Sequence, residues 1–484
     1  MSDAGVSVVR LTELVEGALV GHSDTTITDV VHDSRDAAPG ALFVAVRGFT
    51  TDGHRFVDQA VGRGASAVCV EDLADACPVP QILVENSRAV LGRLAAEVHG
   101  RPSSRLRVVG ITGTNGKTTV TYLLESIVTA GGLTAGRIGT TGASIGGRSV
   151  PLPRTTPEAS DFQRLLADMV DAGVDVVAAE VSSHAMALGR VDAVSFAVAA
   201  FTNLSQDHLD FHGDMESYFA AKAGLFDRGR TERAVINVDD ARGESLAGAV
   251  DVPVLAVGRE VRASELELAA TGTRFRLVTP LGTAIVSLPL AGAFNVSNAL
   301  IAAACALELG IGVDTIVAGL ESVGQIPGRY EIVPTARGFT VAVDYAHTPD
   351  GVETVIEAAR AVSSGGVTVV LGAGGDRDRS KRPAMGRAAS AADRFILTSD
   401  NPRSESPGVI IEAVRAGVEA DAVELIVEPD RRLAIHRALA MAEPGDTVLV
   451  LGKGHELGQE VAGRVIEFDD RKVVSEELAD LENA

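Results

Sequence analysis

The sequence predicts an α/β protein with three domains: a small N-terminal α/β domain, a central P-loop ATPase-like domain with a mostly parallel sheet, and a C-terminal Rossmann-like domain. The chain has 484 residues, a length typical of about three ordinary domains. Apolar runs of strand length alternate with helical patterns, which is typical of parallel sheets covered on both faces. Segments 101–104 and 326–330 have the composition of linkers. We therefore expect domains at 1–102, 103–330 and 331–484.

The elements follow in the order that this fold requires. After two strand-like runs in the N-terminal part, a buried strand precedes a glycine-rich turn and a helix from about Lys117 to Ala130. Three more apolar runs complete the central sheet, and four runs that alternate with helices predict the Rossmann-like domain. The predicted strands lie at 41–46, 65–70, 106–111, 174–180, 196–201, 234–238, 340–344, 367–371, 394–398 and 447–451.

The composition favours a globular enzyme. With 46% apolar residues the chain can bury extensive cores, and its net charge of −22 argues against a nucleic-acid or membrane-surface partner. Charged residues interrupt each apolar run well short of about 18 residues, so no transmembrane helix is expected, and the N-terminus lacks the pattern of a secretory signal. The three cysteines, Cys69, Cys77 and Cys305, fit neither a disulfide framework nor a zinc site. We expect a monomeric cytoplasmic enzyme that acts on small molecules.

Lysine is rare in this chain. Of 43 basic residues, five are lysines and 38 are arginines. Each lysine is therefore a candidate for chemistry that a guanidinium cannot perform. The alternative is chance retention at the surface, which suits Lys472. The other four are Lys117, Lys222, Lys381 and Lys453.

The segment GITGTNGKTT at 110–119 predicts a phosphate-binding loop between a strand and a helix. Glycines let backbone N–H groups surround phosphate oxygens, and the helix N-terminus adds partial positive charge. Lys117 can reach the β- and γ-phosphates, and Thr118 can bind Mg²⁺. The strict spacing has glycine where this chain has Ile111, a departure of one residue. Glu180 ends a predicted buried strand, where a carboxylate can serve as the acidic partner of Mg²⁺.

Five motifs, in this order, resemble those of the Mur ligase family: GTNGKT at 113–118, EVSSH at 180–184, TNLSQDHLD at 202–210, NVSN at 295–298 and DYAHTP at 344–349. Three more narrow the resemblance to the ligases that add the third residue of the peptidoglycan stem peptide: DSR at 33–35, DNPR at 400–403 and GKGHE at 452–456. The resemblance implies that ATP, UDP-N-acetylmuramoyl-L-alanyl-D-glutamate and a diamino acid give the tripeptide, ADP and phosphate.

The chemistry of amide formation agrees with these residues. A carboxylate is activated by transfer of the γ-phosphoryl group, and an amine then attacks the acyl phosphate. Both steps concentrate negative charge, which requires a metal ion and cationic groups. Lys117, Thr118 and Glu180 with Mg²⁺ meet that need on the nucleotide side.

The resemblance also implies roles for residues outside the phosphate loop. Lys222 is expected to be carbamylated and, with His208, to hold a second Mg²⁺, because a primary amine can take up CO₂ and then offers oxygen ligands. A helix-surface lysine and a structural histidine are the alternatives. The expected ATP-binding residues are Gly113, Thr114, Asn115, Gly116, Lys117, Thr118, Thr119, Asn295, Asn298, Arg329, Asp344 and His347.

The nucleotide-sugar peptide is expected to bridge the first two domains. His54 is a weaker candidate for the uridine end, and Leu188 stands where the family often has Gln, so one contact is lost. Any of these polar residues could instead serve a turn or a helix cap. The residues that match family positions are Ser34, Arg35, Asn115, Thr155, Thr156, Ser182 and Arg190.

The DNPR motif predicts the amino acid that is added. Its Arg403 resembles the form that adds meso-diaminopimelate, whereas lysine-adding relatives tend to lack this arginine. A guanidinium can bind the far carboxylate of diaminopimelate bidentately and repels the ammonium of lysine. The alternative is a proline turn with an exposed arginine. The remaining matches for this acceptor are Arg377, Asp400, Asn401, Gly452 and Glu456, whereas Lys381 and Lys453 have no assigned role.

Two other functions stay open. A related ligase could add D-alanyl-D-alanine or glutamate or act on folate, and a nucleotide-dependent switch could use the phosphate loop without ligation. The two linkers also predict domain closure around the substrates, which would exclude water from the acyl phosphate.

Overall fold

The computed structural model describes residues 5–49, 51–419 and 421–483. In its N-terminal part a sheet has the strand order β2-β7-β6-β5-β4, with β4 to β7 parallel and β2 antiparallel at the edge, and β1 pairs with β3 separately. The strands are β1 Val6–Ser7, β2 Ala18–Val20, β3 Thr26–Ile27, β4 Asp29–Val31, β5 Ala41–Val44, β6 Ala67–Val70 and β7 Gln81–Leu83, and the helices are α1 Val8–Leu14, α2 Val57–Gly62 and α3 Ser87–Val98.

The central part contains a long, mostly parallel sheet. Its order is β11-β10-β9-β12-β8-β13-β14-β15, and only β10 runs antiparallel to its neighbours, β9 and β11. These strands are β8 Arg107–Thr112, β9 Ala135–Gly139, β10 Gly142–Ile145, β11 Arg148–Val150, β12 Val176–Glu180, β13 Val198–Phe201, β14 Ala234–Asn237 and β15 Val254–Val257.

Helices cover both faces of the central sheet. Buried side chains of α4, α10 and α11 form one core with one face, and Phe162 and Leu166 of α5 pack in a second core on the other. The helices are α4 Lys117–Ala130, α5 Ala159–Asp171, α6 Ser183–Ala187, α7 Leu209–His212, α8 Met215–Ala223, α9 Ala241–Ala247, α10 Ala293–Glu308 and α11 Val313–Ser322. An antiparallel sheet that the sequence analysis did not predict also belongs to this part, formed by β16 Arg262–Ala269, β17 Gly272–Thr279 and β18 Gly282–Leu288.

The C-terminal part is a doubly wound sheet of order β19-β20-β24-β21-β22-β23, parallel except for the edge strand β19. Helices α12 to α14 bury one face, and α15 and α16 the other. The strands are β19 Glu331–Val333, β20 Thr340–Asp344, β21 Val367–Leu371, β22 Arg394–Leu397, β23 Glu424–Val427, β24 Thr447–Leu451 and the hairpin β25 Gly458–Val461 and β26 Arg464–Glu467. The helices are α12 Pro349–Arg360, α13 Lys381–Ala389, α14 Pro407–Arg415, α15 Arg431–Met441 and α16 Asp470–Asn483.

The predicted fold class is confirmed. Each predicted strand is present, although several begin one or two residues later than expected, because apolar residues continue into the turns that precede them. The run at 174–180, for example, becomes a strand at Val176. The first linker includes a 3-10 helix, Pro102–Ser104. Among the described residues, no helix is long and apolar enough to cross a bilayer.

Candidate active site

The phosphate loop connects β8 to α4. Gly116, the N-cap of α4, has φ +87°, and a Cβ atom there would lie 2.3 Å from Oδ1 of Asn298. The position therefore requires glycine. The loop is held by the segment after β13, since Thr202 Oγ1 donates to the carbonyl of Asn115 at 2.6 Å and the amide of Asn115 donates to Asn203 Oδ1 at 2.9 Å.

Two lysines converge on one carbonyl of this loop. Lys117 Nζ and Lys222 Nζ both donate to the Gly113 oxygen, at 2.9 and 2.7 Å, and Lys117 also reaches the Thr114 oxygen. Lys222, on α8, is 1% exposed and lies over the ring of Tyr218. Burial, with Lys117 as a second cause, holds the pKa of Lys222 well below its ordinary value. The alternative of a helix-surface lysine is therefore wrong.

Glu180 ends β12 beside the loop with 1% of its surface exposed. Its carboxylate accepts two hydrogen bonds from Thr140, from the amide at 2.9 Å and from the hydroxyl at 3.0 Å. These bonds fix the carboxylate in one orientation. Hard oxygen donors therefore face the same cleft as Lys117.

An acidic residue lies beside His208. The Asp207 carboxylate is 3.3 Å from His208 Nε2 and 3.8 Å from Lys381 Nζ. Burial opposes ionisation of Asp207, but His347, His208 and Lys381 outweigh it and lower its pKa. Burial also lowers the pKa of His208 to about 3, although Asp207 acts in the opposite sense. The imidazole of His208 is therefore neutral near pH 7.

The C-terminal part closes the cleft. Arg329, in the second linker, donates from Nη2 to Thr118 Oγ1 at 3.0 Å, and Asn115 Nδ2 donates to Asp350 Oδ2 at 3.0 Å. The cleft between these parts has a volume of about 490 Å³. It is lined by phosphate-loop residues 114–119 and, among others, by Thr140, Thr155, Glu180, Ser182, Asp207, His208, Lys222, Asn298, Arg329, Asp344, Tyr345 and His347.

A second cluster lies at the ends of β22 and β24. The Arg403 guanidinium is 3.4 Å from the Glu460 carboxylate, and Arg403 Nη1 donates to the Gly375 carbonyl at 2.6 Å. The cluster adjoins the cleft, because the amide of Gly452 donates to the carbonyl of Asp344 at 3.1 Å. Gly452 has φ +108°, and a Cβ atom there would lie 2.5 Å from Oδ2 of Asp400.

Three segments of the chain match families of known proteins. Residues 26–99 match the Mur ligase family catalytic domain, 111–306 the Mur ligase middle domain, and 328–454 the Mur ligase glutamate ligase domain. The chain is 46% identical over 481 residues to the UDP-N-acetylmuramoyl-L-alanyl-D-glutamate–2,6-diaminopimelate ligase of Geobacillus kaustophilus, a match that covers 97% of this chain and 98% of the relative. The chain belongs to the Mur ligase family.

Two further comparisons agree with this membership. The ligase of the same name from Streptomyces coelicolor is 44% identical over 495 residues, with 98% of this chain and 97% of the relative covered. A solved structure of a UDP-N-acetylmuramoyl-L-alanyl-D-glutamate–2,6-diaminopimelate ligase matches at a TM-score of 0.68 and 30% identity, covering 99% of this chain and 100% of that one. The likeness therefore spans the whole Mur ligase fold.

Most nucleotide-side residues predicted from the sequence lie together in this Mur ligase. Asn295 does not line the cleft: it is 2% exposed, and its Nδ2 donates to the Ala291 carbonyl at 2.8 Å. It reaches the site through Asn298, whose Nδ2 donates to Asn295 Oδ1 at 3.2 Å. Asp344 accepts from the amides of Tyr330 and Ala346, and burial raises its pKa.

The predicted nucleotide-sugar residues are spread more widely. Thr155 and Ser182 line the cleft, whereas Thr156 is 1% exposed and donates to the Glu180 carbonyl at 2.8 Å. Arg190 pairs with Glu158 at 2.9 Å.

The uridine-end candidates lie in the N-terminal part. Arg35 pairs with Asp33, an interaction that lowers the pKa of Asp33 to about 2, and Ser34 Oγ donates to Gln59 at 2.9 Å. Both ring nitrogens of His54 are engaged within the domain, Nδ1 with Asp52 and Nε2 with the amide of Glu71. This engagement favours a structural role for His54.

Most of the residues predicted to bind the acceptor lie in the second cluster. Asn401 Nδ2 donates to Glu456 Oε2 at 2.8 Å, and Asp400 is 7% exposed. Arg377 is exposed and makes no hydrogen bond or ion pair with another described residue. Sequence reasoning missed Asp207, Tyr345 and Thr140 as cleft residues. Asp207 and Tyr345 lie within two of the quoted motifs, and that position was the available signal.

Proposed function

We propose that this Mur ligase uses ATP to join meso-2,6-diaminopimelate to UDP-N-acetylmuramoyl-L-alanyl-D-glutamate through an acyl phosphate, in the synthesis of peptidoglycan precursors. The curated relatives carry this activity in their names. The proposal rests on one observation: the cleft that contains the phosphate-binding loop adjoins the second cluster. The cationic and anionic side chains of that cluster are suited to bind a zwitterionic amino acid. The cleft and the cluster meet where the Gly452 amide bonds to the Asp344 carbonyl.

Mg²⁺ is the metal ion that suits the nucleotide side. Thr118 and Glu180 supply the hard oxygen donors that Mg²⁺ prefers. Among the described residues, no three His, Cys, Asp or Glu side chains converge as a metal site. This agrees with an ion that takes most of its ligands from phosphates and water. When bound, the ion neutralises charge on the transferring phosphoryl group.

Lys222 is proposed to carry a carbamate. Its burial and the neighbouring Lys117 favour the unprotonated amine, which is the form that attacks CO₂. The new N–C bond gives an N-carboxylate and releases one proton. The product would place an anion beside Lys117 and would supply oxygen ligands for a second Mg²⁺ with His208.

In the first chemical step, the γ-phosphoryl group passes from ATP to the D-glutamyl side-chain carboxylate. The bond to the β-phosphate oxygen breaks, a bond to the carboxylate oxygen forms, and ADP leaves. Lys117 releases the loop carbonyls to bind the phosphates, and the loop amides hold them at the N-terminus of α4. Arg329, already at Thr118, adds positive charge.

In the second step the amine of the acceptor attacks the acyl carbon, phosphate leaves and the amine loses a proton. Arg403 and Arg377 bind the far carboxylate, while Glu456 and Asp400 face the ammonium at the same end. Closure of the C-terminal domain over the cleft excludes water from the acyl phosphate. Asn298, Asp344 and His347 would bind the nucleoside, and Ser34, Arg35, Thr155, Ser182 and Arg190 the nucleotide-sugar peptide.

The same proposal includes the cellular location of the reaction, the oligomeric state and the boundaries of the domains. We place the reaction in the cytoplasm, with a monomer as the active species and domains at 1–102, 103–330 and 331–484.

Phosphate release with ATP, Mg²⁺ and UDP-N-acetylmuramoyl-L-alanyl-D-glutamate tests the function. Release that requires meso-diaminopimelate, and not L-lysine, is expected. Release with L-lysine would retain the ligase and refute the role of Arg403. No acceptor-dependent release would refute the proposed reaction.

A further inference from the structure

Lys453 is a buried lysine that the proposed reaction does not use. It lies in the loop after β24, between Gly452 and Glu456 of the acceptor cluster, and its side chain is 0% exposed. Lysine is almost never fully buried unless it is paired. This chain also uses arginine for 38 of its 43 basic residues, so a lysine at this place requires a specific reason.

The ammonium group of Lys453 has three acceptors for its three N–H donors. Nζ donates to the carbonyl of Gly458 at 2.6 Å, to Glu456 Oε2 at 3.0 Å and to Asn401 Oδ1 at 3.2 Å. A tetrahedral ammonium can satisfy three converging acceptors, whereas the planar fork of arginine has five donors and a larger volume. The pocket therefore fits lysine alone of the two.

The contacts of Lys453 also fix the orientation of Asn401. An ammonium cannot donate to an amide NH₂ group, so Oδ1 of Asn401 must face Lys453, and the amide of Glu460 donates to that same oxygen at 2.9 Å. Nδ2 is then directed at Glu456 Oε2, at 2.8 Å. Lys453, together with the Glu460 amide, thus orients Asn401, and it also holds the Glu456 carboxylate.

The network leaves one carboxylate oxygen available. Both side-chain bonds to Glu456 end on Oε2, and within the described ranges no hydrogen bond reaches Oε1. The carboxylate is 32% exposed.

We propose that Lys453 is a positioning residue for the amino-acid acceptor: it holds Glu456 and Asn401 so that Glu456 Oε1 receives the acceptor's ammonium group. The inference rests on the proposed function and deepens it. It assigns recognition of the zwitterionic end of the acceptor to the hydrogen-bond network that the buried Lys453 makes with Glu456 and Asn401.

Steady-state kinetics of Lys453→Met test this role. The KM for meso-diaminopimelate should rise about tenfold or more, as expected when a charge-assisted hydrogen bond is lost. The value of kcat at saturating acceptor should fall much less, and the KM values for ATP and the nucleotide-sugar peptide should stay within about twofold. Lys472→Met, at a lysine that is 63% exposed, is the matched control and should behave as wild type. An unchanged acceptor KM in folded Lys453→Met would overturn the inference.

A double variant separates positioning from a general structural effect. If Lys453 acts through Glu456, Lys453→Met combined with Glu456→Gln should have the same acceptor KM as Glu456→Gln alone, within about twofold. Multiplied effects of the two substitutions would contradict this.

NMR of the unsubstituted enzyme keeps the inference testable if Lys453→Met does not fold. With five lysines in the chain, the ¹⁵Nζ signals can be resolved, and the Lys453 signal is identified by its displacement in Glu456→Gln. It should shift on addition of meso-diaminopimelate and not on addition of ATP and Mg²⁺. A Lys453 signal that does not shift at saturating meso-diaminopimelate would refute the positioning role of Lys453. Failure of wild-type turnover with meso-diaminopimelate would instead refute the proposed function.

Discussion

Lys222 is fully buried, and it donates a hydrogen bond to the same carbonyl, that of Gly113, as a second cationic residue, Lys117. Two ammonium groups so close repel each other, so the site favours a chemical form of Lys222 that is not cationic. A carbamate meets this requirement and adds ligand oxygens. In the proposed reaction, Lys222 would act because its surroundings disfavour its ordinary charge.

Lys222→Ala should lower kcat about 100-fold or more, because the anionic oxygens proposed beside the phosphates are lost. A small carboxylate such as acetate should restore part of the activity by entering the space. Phosphate release measured with and without acetate checks this, with Lys472→Ala as the control. Full activity in Lys222→Ala would contradict the assignment.

Arg403→Ala should raise the acceptor KM about 10- to 100-fold, because a charged hydrogen-bonding partner of the far carboxylate is removed. ATP affinity, measured by calorimetry, should not change, since Arg403 does not line the nucleotide cleft. Unchanged acceptor kinetics would place the carboxylate elsewhere.

At the scale of the secondary-structure elements, the strands that are buried on both faces of a sheet could be predicted from the sequence, because their apolar runs are uninterrupted. The antiparallel sheet of β16 to β18 was missed, because β16 is largely exposed and carries charged residues such as Glu265 and Glu267. Its alternating pattern is short and broken by an irregular register between Ser264 and Glu267.

The motifs located most of the nucleotide cleft, because three of them follow neighbouring parallel strands of the central sheet, β12, β8 and β13, whose carboxyl ends meet at one edge. Contacts between segments that are far apart in the sequence could not be predicted. Lys222 meets Gly113 across 109 residues, and Lys453 meets Asn401 across 52. No local pattern encodes either contact, so the sequence could flag the lysines as unusual without indicating their partners.

The requirement for glycine at the start of α4 can be tested by a single substitution. Gly116→Ala should weaken ATP binding, because the added Cβ meets Asn298 at 2.3 Å in addition to the strain of a positive φ. Gly147→Ala is matched, since Gly147 has φ +86° and nothing within 4 Å of the added atom. Calorimetric titration should show a loss of affinity for the first variant and not for the second. Equal affinities would contradict the role of this contact.

Helices α15 and α16 share a completely buried ion pair, Arg431 with Asp470, at 2.6 Å. Asp470→Ala should destabilise the C-terminal domain by about 3–5 kcal/mol, because an unpaired charge would remain buried. Urea unfolding followed by circular dichroism measures this. Glu476→Gln, in the exposed pair with Arg432 on the same two helices, should leave the midpoint almost unchanged.

For the whole molecule, contacts across the cleft indicate a closed arrangement. Arg329 reaches Thr118, Asn115 reaches Asp350, and Lys381 lies 3.8 Å from Asp207. Each joins the central domain to the C-terminal domain or to the linker before it. These three contacts are polar and of a kind that ligands can strengthen or release.

Small-angle scattering should therefore show a smaller radius of gyration with a non-hydrolysable ATP analogue, the nucleotide-sugar peptide and meso-diaminopimelate than without ligands, because the ligands add charge contacts across the cleft. The nucleotide alone serves as the control and should compact the molecule less. The same radius in all three states would refute ligand-driven closure.

The distribution of lysines has a practical consequence for conjugation chemistry. Lys222 and Lys453 are inaccessible, Lys117 is bound to loop carbonyls, and the side chain of Lys381 is 13% exposed. Lys472, on α16 and outside the residues that line the cleft, is 63% exposed. An amine-reactive ester should therefore acylate one lysine side chain selectively. A dye or a surface tether could be installed there without engineered cysteines and without obstructing the entry of substrates.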